Sequence, residues 1–134
     1  MELNFPATIP DEYLGEYFWH NSANIIPEGV IISEPQVKVG FISVLAFNSA
    51  DNSIGSFLLC NVGININNLW YVDYIYVDRD FTVTGSSKNG LVFDCSFEKG
   101  LNIRYYTPLS KGKYTTQKPS DEVFEWRYEE FSCE

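Results

Sequence analysis

A single histidine, His20, denies this chain the paired imidazoles of a His-built metal site, and as a general base it would need a partner and a cleft. Its neighbours Asn21 and Ser22 read as a loop rim. The three cysteines, Cys60, Cys95 and Cys133, lie too far apart for a metal knuckle, and their odd number does not make a disulfide framework. They are expected to be reduced, mostly buried thiols in a cytoplasmic protein. No run approaches the ~18 apolar residues that cross a bilayer, and the opening residues lack the basic-then-apolar pattern of a secretory signal. No serine stands in G-x-S-x-G, and the Gly85–Gly90 segment has a lysine but no phosphate-loop pattern and no helix after it. Enzymatic activity, a metal and a cofactor are therefore not expected.

Basic residues are scarce and lopsided. The 134 residues hold nine Lys and Arg against eighteen Asp and Glu. Residues 1–78 carry nine acids and one base, Lys38, a net of minus eight, whereas residues 79–134 carry nine acids and eight bases. Such a surface is repelled by nucleic acid and by anionic lipid, so neither is an expected direct partner unless Arg79 to Lys118 gather into one patch.

What is present points to β structure. Apolar residues make up 45% and aromatics 16%, with many Phe and Tyr among Val and Ile, a composition that suits pleated, half-buried surfaces. Without repeats or linkers, residues 1–134 read as a single domain. Thr8, Pro10, Asp11 and Glu12 could start a short helix over residues 8–19, with Tyr13, Leu14, Tyr17 and Phe18 at helical spacing, although Gly15 weakens it. From Gly29 to Thr107 the period is two. Val37, Val39, Phe41, Ser43, Leu45 and Phe47 share one face of a long strand, and Ile54 to Val62 form the next. Leu69–Val77 is apolar on both faces apart from Asp73, as in a central strand. Leu91, Phe93, Cys95 and Phe97 point inward, and Lys99-Gly100 turns the chain into Leu101, Ile103 and Tyr105. Residues 120–132 fit a helix or a strand equally well. The fold class is mainly β (α+β), an antiparallel meander forming a half-open barrel or sandwich.

Two short stretches carry faint family resemblances. Leu14 to Trp19 resembles the opening of lipocalin-type barrels, with Gly15 and Trp19 spaced more widely than that family's Gly-x-Trp. Ile9 to Leu14 followed by Asn21 resembles the opening motif of the SMI1/KNR4-like immunity superfamily, without its later motifs. Neither assigns a family.

The carboxylates Asp73, Asp78 and Asp80 cluster about the Tyr-rich strand, and Asp78 and Asp80 on one strand side would suit acid–base work or a cation. Arg79 between them and the following Phe81 favour an ordinary turn. Tyr71 with Asp73, or Tyr74 with Tyr76, would form an aromatic–acidic surface if one face is open. The leading expectation is a non-enzymatic acidic binding protein, an immunity or antitoxin-type inhibitor that occludes the cleft of a basic, nuclease-like toxin. Asp11, Glu12, Glu16, Asp73, Asp78 and Asp80 would meet its cations, and Tyr71, Tyr74 and Tyr76 would anchor it. The alternative is a small β-barrel holding an apolar ligand among Phe41, Leu58, Phe93, Ile103 and Trp126. A hydrolase built on His20 ranks third.

Overall fold

The computed structural model describes residues 9–17, 25–61, 69–108, 112–119 and 123–130. Among the described residues eleven strands follow one turn of 3-10 helix at Asp11–Tyr13. They are β1 (Gly15–Glu16), β2 (Val30–Ile32), β3 (Lys38–Ile42), β4 (Val44–Phe47), β5 (Ser53–Asn61), β6 (Tyr71–Val77), β7 (Phe81–Ser86), β8 (Val92–Phe97), β9 (Gly100–Thr107), β10 (Lys113–Thr115) and β11 (Phe124–Glu130). The protein is mainly β, an open sheet curled into a half-barrel in the order β1-β3-β6-β9-β10-β8-β7-β2, with β5 joining β6 and carrying β4 and β11. Among the described residues no helix is long and apolar enough to cross a membrane.

Local chemistry sets the turns. Between β4 and β5, the Asn48 side-chain oxygen accepts the backbone N–H groups of Ala50 and Asn52 at 2.9 and 3.1 Å, an Asx-type turn completed by Asp51 at φ 60°. The β7–β8 turn is closed by Ser87, whose hydroxyl accepts the Leu91 N–H at 3.1 Å. At the mouth of β2 and β7, Gly29 and Gly85 both have positive φ, and a Cβ on either would strike the other strand's backbone.

Three expectations change and one open choice is resolved. The helix over residues 8–19 reduces to the single turn at Asp11–Tyr13, because Gly15 and Glu16 pair with Val39 and Lys38 as β1; Thr8 and residues 18–24, His20 included, lie outside the described residues, as does Cys133. The long strand through Phe47 is two strands broken at Ser43, since β3 pairs with β6 whereas β4 pairs with β5. The meander is not wholly antiparallel, because β10 lies parallel to β8 and separates it from β9. Phe124–Glu130 is a strand, its Phe, Trp and Tyr alternating with charge along β5.

The core fills the inner face. Val37, Val39, Ile75, Val77, Val83, Phe81, Phe93, Cys95 and Phe97 are buried there with Tyr17. Phe93, Cys95 and Phe97 face inward and Asp94, Ser96 and Glu98 face out, as the alternation requires. Four rings form a ladder across neighbouring strands. Tyr71 lies 6.5 Å from Tyr106, Tyr106 lies 4.5 Å from Tyr114, and Tyr114 lies 5.4 Å from Phe93.

Candidate functional site

Strand β6 divides the predicted site residues between two faces. Tyr71, Asp73, Ile75 and Val77 look inward, and Val72, Tyr74 and Tyr76 outward. The aromatic–acidic strand is thus two surfaces rather than one.

On the inner face Asp73 is paired across the ladder with Arg104, which is 2% exposed. Arg104 donates from Nε and Nη2 to Asp73 Oδ2 at 3.2 and 2.9 Å and from Nη1 to the Tyr17 hydroxyl at 2.9 Å. Its guanidinium carbon lies 4.5 Å from the Tyr114 ring centre and 5.1 Å from that of Phe41. Desolvation works against the buried cation, but Tyr17 and Asp73 outweigh it and hold the Arg104 pKa above its usual value. Burial pushes the Tyr17 hydroxyl up against the pull of Arg104, so at neutral pH it is a neutral acceptor. A buried cation so completely partnered is a structural element, and sequence reading missed it.

Above this pair the sheet splits. Where the chain passes Ser43 it leaves β6 for β5, and the three strands part around a cleft of about 320 Å³. Asp73, Leu58 and Ser43 border it, with Tyr74 and Trp126 alongside. Tyr74 and Trp126 stack with ring centres 6.2 Å apart.

The outer face is unusually apolar for an exposed surface. Leu101, Ile103 and Tyr128 stand there 40%, 42% and 46% exposed. The turn at Asp11–Tyr13 packs over the same face at Gly40, where an added Cβ would meet Leu14 Cδ2 at 3.0 Å and the Tyr13 carbonyl oxygen at 3.6 Å. Gly40 pairs with Tyr76, which is buried. One pair further along, Ile42 lies opposite Tyr74. The exposed turn Asp11–Tyr13 thus lies over the face that carries Tyr74 and Trp126, at the neighbouring pair of the ladder.

The remaining predicted residues sit elsewhere. Glu16 is exposed on β1 opposite Lys38. Asp78 lies in the turn after β6, bound by Arg79 Nε and Nη2, each at 3.1 Å, and accepting the Lys38 N–H at 2.9 Å. The Arg79 hydrogen bonds hold its carboxyl below the ordinary carboxylate range. Asp80 accepts the Lys99 N–H at 2.7 Å. These two acids organise turns rather than project as a pair. Among the described residues no three His, Cys, Asp or Glu side chains are grouped to hold a metal. The five residues expected to line a barrel do not meet. Phe93 is in the core, Phe41 lies beside Arg104, Ile103 faces outward, and Leu58 and Trp126 border the cleft.

Comparison with protein-family models, with curated proteins and with solved structures found no match.

Proposed function

We propose that the chain is a non-enzymatic binding protein whose outer face takes a basic protein partner, as an immunity protein or antitoxin takes a nuclease-like toxin in the cytoplasm. The observation that carries this reading is the outer-face patch, in which Tyr74, Trp126, Tyr128 and Ile103 present rings and aliphatic surface on the face over which the exposed turn Asp11–Tyr13 packs at Gly40. Exposed apolar surface rimmed by charge is what protein interfaces use, with rings as desolvated anchors. The net charge of minus nine steers such a protein toward a cationic cleft. Asp11 and Glu12 meet the partner's Lys and Arg, Tyr74 and Trp126 fill its apolar recesses, and occlusion of the cleft is the inhibitory act.

The test compares the parent with a variant carrying Asp11→Lys, Glu12→Lys and Tyr74→Ser, each immobilised against extract of the native source. Capture of one basic protein by the parent alone, its release by salt, and inhibition of that protein's nuclease activity by added parent are expected. Equal capture by parent and variant, or a captured protein whose activity is untouched, refutes the reading. A second reading, a small ligand seated in the cleft beside Asp73 and Trp126, is favoured by the cleft volume of about 320 Å³. Native mass spectrometry of protein from the same source distinguishes it by a bound mass.

A further inference from the structure

Among the described residues β11 pairs only with β5, and no described strand pairs with its other edge. Proteins blunt such edges by shortening them, breaking their register, or placing Pro or Lys on them. The other short edges here obey that rule: β1 has two residues, β2 has three, and β4 shifts register between Ala46 and Phe47. β11 departs from it in length and regularity: it runs seven residues in unbroken register without Pro, Lys or Gly, and its charges, Glu125, Arg127, Glu129 and Glu130, are of both signs and so can pair across a second copy.

Its charges are also unmatched within the sheet. Glu125 lies opposite Cys60 and Arg127 opposite Leu58, and neither joins an ion pair among the described residues. A second copy of the strand supplies the match. Antiparallel pairing about a two-fold axis perpendicular to the sheet keeps each face on its own side, so the axis passes through a residue. Centred on Trp126, the pairing sets Glu125 against Arg127 twice, Phe124 against Tyr128 twice, and Trp126 against its own copy. Centred on Arg127, it sets Arg127 against itself and Glu125 against Glu129. Centred on Tyr128, it keeps an Arg127–Glu129 contact but faces Trp126 with Glu130. Opposite charges and aromatic pairs directly across strands are favourable, and like charges there are not. Over Phe124–Tyr128, the Trp126 register alone sets opposite charges against each other and rings against rings, with Glu129 falling opposite Val123 beyond them.

We propose that the chain self-associates as a two-fold dimer through the edge of β11 that no described strand pairs, in the antiparallel register centred on Trp126. The sheet then continues from one copy into the other. Phe124, Trp126 and Tyr128 of both copies form one aromatic row on the outer face, continuous with the Tyr74 stack. This inference does not depend on the partner proposed above.

Sedimentation velocity on the full chain over a concentration series tests it. Mass rising toward the dimer is expected. Arg127→Glu places Glu against Glu at both symmetric contacts and raises the dissociation constant roughly tenfold or more. Combining Glu125→Arg with Arg127→Glu exchanges the two members and restores association. A monomer at every concentration, an unchanged constant in R127E, or rescue by Glu129→Arg instead of Glu125→Arg overturns the proposal. Should R127E lose its circular dichroism signal, hydrogen exchange on the unaltered chain decides. Protection of the β11 amides that grows with concentration supports the dimer, and protection independent of concentration overturns it.

Discussion

Replacing Asp73 by Asn leaves Arg104 buried with its charge uncompensated. Breaking a buried ion pair by removing one member costs about 3–5 kcal/mol. Here the Asp73 side chain is 37% exposed whereas that of Arg104 is 2% exposed, so water screens one end of the pair and the figure falls to about 2–3 kcal/mol. For a chain of 134 residues that lowers Tm by roughly 8–12 °C. Tyr17→Phe removes the other acceptor, the hydroxyl at 2.9 Å from Nη1, at about 1.5–2 kcal/mol, as for hydrogen bonds to charged groups. Both variants act on one guanidinium, so a double-mutant cycle gives a coupling of about 0.5 kcal/mol or more. Adding Arg104→Met to Asp73→Asn recovers part of the loss, since no stranded cation remains. Urea denaturation of the parent and of these four variants measures all of this. A loss below about 1 kcal/mol in D73N, or no recovery in the double variant, refutes the view that Asp73 neutralises a buried charge.

Cys95 gives a pH dependence. Burial raises its thiol from 9.0 to about 11, so the folded state keeps a proton that the unfolded state releases. Its contribution is complete below pH 9 and is lost as pH climbs through about 11, a fall of about 2–3 kcal/mol. Tyr114, pushed by burial from 10.0 to about 12, adds a second decline above pH 10. Urea midpoints of the parent and Cys95→Ala against pH should diverge in slope over the first window; parallel curves count against it. Gly55→Ala places a methyl group against the Glu129 carbonyl and the Tyr128 ring, which prises β11 from β5. Faster amide exchange in 124–130 with the β7–β8 amides unchanged is the expected readout. Asp78→Ala removes the acceptor of the Lys38 N–H and the Arg79 pair, and a stability loss of about 1 kcal/mol by calorimetry is expected.

The β class was legible because period-two alternation survives wherever one face is wet, as in Leu91–Phe97. It misled where both faces are apolar. On β9 the odd residues Leu101, Ile103 and Tyr105 look like the core side, yet Arg104 and Tyr106 face inward, because the outer face carries its own aromatic layer. Only the oddity of Arg104 opposite Asp73 in such strands hinted at this, and the pairing that makes it visible is a property of the register. The break at Ser43 was equally hidden, since a strand that changes neighbours keeps its alternation. Of the predicted surface, the turn that carries Asp11 and Glu12 is brought over the face of Tyr74 by the packing of Tyr13 and Leu14 on Gly40, a long-range contact no local pattern encodes.

The insertion of β10 sets the shortest connection in the chain against the native pairing. β8 and β9 are joined by two residues, the layout of a local hairpin. In the sheet their far ends are instead held apart by Lys113–Thr115, which pairs with both. A β8–β9 ladder there and the seat of Tyr114 between Phe93 and Tyr106 exclude one another, so the native arrangement rests on a closing segment that comes later in the chain than either strand it separates.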